Sequence, residues 1–304
     1  MAAARRRPHR RRTRRRWAVG LVVAVVLAGG GGVWAVVAWL DRSTAAPIVA
    51  ACTATAGGSP YRMSAAQADN AALIAAVSVR RGLPARAATI ALATAIQESK
   101  LNNLDHGDRD SLGLFQQRPS QGWGTPEQVT DPVFATNAFY DRLVKVPDYA
   151  AMPITQAAQA VQRSAFPDAY GDHEASARAF ASALTGWSPA TLTCTLPAAV
   201  AAGSSDAVLA RVTRDLGDLP SSSSPPDKAA TPTVTLDARS LTPDDATRGA
   251  WAVAQWSVAV AYDLAIDRVA VANQVWTRGA GTWTAGRSPV ASGQVVLTLS
   301  SGTS

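Results

Sequence analysis

Four carboxylates share one short stretch, "ATAIQESKLNNLDHGDRDSLGLFQQ", from Ala93 to Gln117. Glu98 ends an apolar run that reads as a buried helix, and Asp105, Asp108 and Asp110 follow in a loop rich in Asn and Gly. At the C-terminal end of a helix the dipole opposes negative charge, and the apolar turns before Glu98 reduce its hydration. Both effects favour the protonated carboxyl, which is the form that delivers a proton to a leaving oxygen. Glu98 is therefore the candidate general acid. An inverting hydrolysis would add a second carboxylate about 6.5–9.5 Å away to activate water, for which Asp105, Asp108 and Asp110 are the candidates. The same three residues also suit ordinary turn chemistry, in which Asp side chains bond nearby backbone groups.

The elements that must position these groups are mostly helical in pattern. Ser64 caps a helix that closes near Gly82, and Pro84 opens the next, whose Ala87–Ile96 stretch carries no charge on any face. After the loop 101–124, helices are expected from about Asp131 or Pro132 to Lys145, over "ITQAAQAVQRSA", and over "GDHEASARAFASALTG". No strand is expected between the two cysteines, Cys52 and Cys194. Beyond them "SDAVLARVTRDLGDL" suggests a helix and "PSSSSPPDKAATP" a linker. A strand "TVTLDA", a Trp-bearing helix after Thr242, a hairpin turning at Arg278–Gly281 and a strand "QVVLTLS" then make a small α+β module.

Glu98-Ser99 at a helix end, followed by Gly113-Leu114-Phe115-Gln116 in a loop, resembles the lysozyme-like superfamily, specifically lytic transglycosylases and goose-type lysozymes. The resemblance covers roughly residues 65–186. It implies that Glu98 is the catalytic acid, that Ser99 assists it, and that Gly113, Leu114, Phe115, Gln116 and Gln117 line a sugar cleft. The glycine would let backbone approach the sugar, and the Gln amides would meet its hydroxyls or N-acetyl groups. Phe115, Trp123 and Tyr140 are further candidates for pyranose contact. The family's Ala-Tyr-Asn element is replaced by Ala160-Val161-Gln162, so its tyrosine is missing; Gln162, or Tyr170 folding back into the cleft, are the candidates to stand in. The implied activity is cofactor-free cleavage of the β-1,4 bond between N-acetylmuramic acid and N-acetylglucosamine in peptidoglycan, either lytic or hydrolytic. A catalytically weak or inactive glycan-binding scaffold of an envelope complex, with a protein partner for the C-terminal module, is the alternative.

Whole-chain properties set the context. The net charge of +7 is concentrated in nine arginines among the first sixteen residues, and without them 20 basic residues face 22 acidic ones. No basic face remains for nucleic acid. Trp17–Leu40 is uncharged over 24 residues, long enough to cross a bilayer, with arginines on the side expected to stay cytoplasmic. Its length argues against a cleavable signal peptide, and the "DRSTAAP" spacer before Val49–Cys52 argues against a lipoprotein signal. Cys52 and Cys194 would lie in an oxidising compartment and are expected to form a disulfide. The three histidines, His9, His106 and His173, make no metal-ligand spacing, so no metal is expected. The Ala-, Arg- and Gly-rich composition resembles that of exported actinobacterial proteins.

The expected organisation is therefore a basic cytoplasmic tail (1–16), a transmembrane anchor (17–40) and a linker (41–51). A mainly α lysozyme-like domain (52–195), a helix with a Ser/Pro-rich linker (196–232) and a small α+β module (233–304) follow outside the cytoplasm. Partners would be peptidoglycan strands and, through 17–40, the cytoplasmic membrane.

Overall fold

The computed structural model describes residues 48–163, 167–224 and 231–302. The basic tail and the expected span Trp17–Leu40 lie outside them. Among the described residues no helix is long and apolar enough to cross a membrane.

The first element after Ala50 is a hairpin, not a linker leading into helices. β1 (Ala51–Ala56) and β2 (Ser59–Ser64) pair antiparallel around Gly57-Gly58, and β1 pairs on its other side with β3 (Leu192–Thr195). Cys52 and Cys194 stand opposite each other in this register with Cα atoms 3.9 Å apart, and they form the expected disulfide. The strands escape the sequence reading because Ala, Thr and Ser give little apolar contrast between their two faces. Helices α1 (Ala65–Arg80), α2 (Ala85–Ser99), α3 (Pro126–Thr130), α4 (Pro132–Leu143), α5 (Ile154–Gln162) and α6 (Glu174–Leu184) follow. Ser64 and Gln67 close a capping box on α1, and Asp131 caps α4 by accepting from the Val133 and Phe134 amides. α2 packs against α1, α4, α5 and α6, which accounts for its charge-free stretch.

The second half holds α7 (Ser205–Leu216), α8 (Ala246–Ala259) and a six-stranded antiparallel sheet. Its strands are β4 (Ser221–Ser224), β5 (Thr233–Asp237), β6 (Ile266–Val271), β7 (Gln274–Thr277), β8 (Thr282–Ala285) and β9 (Gln294–Leu299), in the order β4-β5-β9-β6-β7-β8. Ser221–Ser224, expected in the linker, is an edge strand paired with β5. The turn at Arg278–Gly281 joins β7 to β8 as expected, and a second tight turn at Ala272-Asn273 joins β6 to β7.

The expectation of a mainly α domain between an anchor and a separate small module is corrected: residues 48–304 form one compact α+β unit containing both sheets. The reason lies in α8, which is buried on every side from Gly249 to Ala259 and packs on α1, α6, β3, β6 and β9. Gly186 shows how closely it passes, because a Cβ there would meet the Arg248 carbonyl at 2.0 Å. Gln255, fully buried on α8, accepts from the Thr191 and Leu192 amides at 3.0 and 2.9 Å and donates to the Ala183 and Ser188 carbonyls at 2.7 and 3.1 Å. The buried Asp215 of α7 accepts from Arg211, Arg214 and the Trp256 indole, while Arg211 also reaches Asp69 on α1. The hydrogen bonds of Gln255 and Asp215 join the halves with direction as well as area.

Candidate active site

α2 ends where Lys100 and Leu101 both adopt left-handed backbone, with φ of 53° and 57°. Their carbonyls are held by the side-chain amides of Gln67 and Asn70 on α1. This abrupt stop leaves Glu98 next to last in the helix, facing a cleft of about 540 Å³. Asp108, Gln116, Trp123 and Gln162 line the cleft with it, as do Ser111, Gln121 and the arginines 109, 118 and 163.

Glu98 is half-buried, and its Oε1 accepts the hydroxyl of Tyr170 at 2.6 Å. Burial raises its pKa above the ordinary carboxylate value, outweighing the Tyr170 hydroxyl and the Gln162 amide, which both favour the charged form. Tyr170 is fully buried in the 3-10 turn Pro167–His173, which packs on α2. Of the two candidates to replace the missing tyrosine, Tyr170 reaches the carboxylate with its ring hydroxyl and Gln162 does so with its amide. Gln162 Nε2 also donates to the Phe115 carbonyl at 2.7 Å, while its Oε1 is buried without a hydrogen-bond partner among the described residues.

The Gly-Leu-Phe-Gln stretch is the four-residue tip of a miniature hairpin closed by Leu112 and Gln117, whose backbone groups exchange bonds of 3.0 and 2.9 Å. Only Gln116 of this tip enters the cleft, from a left-handed backbone with φ of 48°. Leu114 and Phe115 point into the core, where Phe115 stacks on Phe139 at 4.8 Å. Gly113 has φ of 77°, and a Cβ on it would lie 2.1 Å from the Val129 carbonyl. The close approach that requires glycine is therefore to α3, not to a sugar. Ser99 is buried, and its single hydroxyl proton is shared between the Leu114 carbonyl at 2.7 Å and the Ala95 carbonyl at 3.0 Å, pinning the tip to the end of α2. Gln117 is buried too and donates to the Ala135 carbonyl at 3.0 Å. Tyr140 belongs to the core, its hydroxyl on the Ile74 carbonyl, whereas Trp123 lines the cleft.

The aspartates separate. Asp105 is exposed and bonds His106 at 2.7 Å. Asp110 accepts from Arg118 at 2.8 Å and from the Ser120 amide at 2.7 Å; the Ser120 amide and then Arg118 hold its carboxyl well below the usual range. Asp108 alone of the three lines the cleft with Glu98, and its nearest cation is Arg109 at 4.0 Å. Sequence reasoning did not identify Ser111, Gln121, Arg109, Arg118 or Arg163, which come together only through loop closure and carry no motif. No group of His, Cys, Asp and Glu among the described residues could hold a metal ion. No model of a known protein family matches the chain, and no curated protein is similar to it.

Proposed function

We propose that this chain is a peptidoglycan-cleaving glycosidase of the lytic transglycosylase or muramidase type, acting outside the cytoplasm. The observation that carries the reading is Glu98 itself: a half-buried carboxyl with a raised pKa, held by Tyr170 at the wall of a polar cleft. Gln116 and Gln162 line that cleft with side-chain amides, a chemistry that matches sugar hydroxyls and acetamido groups. Trp123, largely buried with Arg142 against its ring, also lines the cleft. The disulfide suits an exported protein.

In this reading Glu98 gives its proton to the bridging oxygen as the bond from that oxygen to the anomeric carbon breaks. The same carboxylate then takes the proton of the muramic acid 6-hydroxyl as that oxygen bonds to the anomeric carbon. The product is a 1,6-anhydro sugar and the acid is restored. A hydrolytic route needs a base for water instead, a part that Asp108 is placed to play.

The test is digestion of purified peptidoglycan by the chain and by Glu98→Gln, with products read by mass spectrometry. Anhydro-muropeptides that fall at least about 100-fold in the variant are expected for loss of a general acid. Reducing ends in their place, abolished by Asp108→Asn, would assign hydrolysis. Absence of any product from the unaltered chain, with glycan still bound, would replace the enzyme by the scaffold.

A further inference from the structure

We propose that the cleft contains an anion subsite, built by Arg163 with Arg142 behind Trp123, that takes a carboxylate carried by the sugar itself. This rests on the glycan-cleaving reading and deepens it by assigning residues to the acid group of the muramic acid.

The arginines around the cleft are not alike. Arg118 is neutralised by Asp110 at 2.8 Å, and Arg109 has Asp108 at 4.0 Å. Arg163 lines the cleft directly after Gln162, where left-handed backbone with φ of 55° ends α5, and no carboxylate among the described residues pairs with it. Arg142 lies with its guanidinium carbon 3.3 Å from the centre of the Trp123 ring and donates to the Gly122 carbonyl at 3.1 Å. It too lacks a carboxylate partner among the described residues. Burial, and then the positive charge of Arg163, lowers the Arg142 pKa, so the two cations stand near enough to repel each other. An anion between them converts that repulsion into two attractions. A guanidinium presents paired N–H donors that match the two oxygens of a carboxylate. Gln116, Trp123, Gln162 and Arg163 line one cleft, so a sugar bound there would bring an acidic substituent within reach of Arg163 while its hydroxyls meet the polar wall.

The experiment uses the full chain carrying Glu98→Gln, so that binding is measured without turnover. Its probes are glycan strands stripped of stem peptide by an amidase, which leaves a free lactyl carboxylate on each muramic acid, and the same strands after chemical reduction of that carboxylate to an alcohol. Intact strands, whose carboxylates sit on the stem peptide, form the third arm. Expected is about tenfold tighter binding of the stripped acidic strands than of the reduced ones, the scale of one charge-assisted pair. Adding Arg163→Ala or Arg142→Ala should bring that ratio towards one, with Arg163→Lys in between, in proteins whose melting temperatures match the parent's. Equal binding of acidic and reduced strands by the parent would overturn the subsite, as would a ratio unmoved by Arg163→Ala. Preference confined to intact strands would overturn the assignment to the sugar's own acid. A wild-type chain that cleaves nothing but keeps the ratio would refute the glycosidase and leave the subsite standing; cleavage without the ratio would do the reverse.

Discussion

The Tyr170 hydroxyl and the burial of Glu98 pull the same proton in opposite directions. Desolvation favours the neutral acid, while the 2.6 Å bond from Tyr170 favours the carboxylate, and burial prevails. Tyr170→Phe removes the second influence only, so the Glu98 pKa must rise further. A step that uses protonated Glu98 is lost as pH climbs through that pKa, and the alkaline limb of the pH–rate profile is therefore expected to move to higher pH in the variant. At the same time the carboxyl loses the contact that orients it, and kcat should fall about tenfold, less than the roughly 100-fold or more expected when the acid itself is removed. An alkaline limb that stays in place would show that Glu98 does not set it. Glu98 was legible in sequence because helix polarity and apolar neighbours are local properties. Tyr170 was only one of two candidates, since 72 residues separate it from its partner.

At the scale of elements, the Glu-Ser and Gly-Leu-Phe-Gln motifs are one device. Ser99 joins the end of α2 to the hairpin tip, Leu114 and Phe115 plug the tip into the core, and Gln116 is what the plugs present to the cleft. Most of the motif's residues are thus buried for placement and one faces the cleft, a division that spacing alone does not reveal. Ser99→Ala leaves the buried Leu114 carbonyl without its donor, at a cost of about 1–3 kcal/mol. The expected result is a lower urea midpoint with an unchanged m-value, together with a reduced kcat/KM because Gln116 is no longer held. Glycan cleavage by Ser99→Ala at the wild-type rate would separate the tip from function. The first sheet marks the opposite outcome. Gly57-Gly58 between short runs is a hairpin signal, yet the Ala-, Thr- and Ser-rich strands around it lack the apolar alternation that makes strands visible.

For the molecule as a whole, α8 decides that the two halves are one body. A chain ended after residue 203 would lack α7, α8 and the second sheet. It would expose the apolar faces of α1 and α6 and strand the Ala183 and Ser188 carbonyls and the Thr191 and Leu192 amides that Gln255 now satisfies. Several unsatisfied buried groups at about 1–3 kcal/mol each are comparable to the whole stability of a domain. Such a fragment is expected to lose near-UV circular dichroism and to be digested rapidly by protease, while residues 48–304 resist. A fragment as protease-resistant as the longer chain would restore the picture of two independent domains.

Taken alone, the amino-acid sequence determined what depends on near neighbours: most helices, the Ser64 cap, the hairpin turn at Arg278–Gly281, and the chemical character of Glu98; the cap expected at Thr242 is instead Asp245, and that helix begins at Ala246. The pairing of Cys52 with Cys194 also followed, since only two cysteines exist. Tertiary structure alone decided which hydroxyl meets Glu98, which aspartate faces the cleft and which arginine stacks on Trp123. It also decided that Gly113 accommodates Val129 and that the second sheet shares a core with the helices. Local propensity acts over one or two turns of chain, whereas burial, hydrogen-bond satisfaction and charge depend on residues that meet only after the chain has closed on itself.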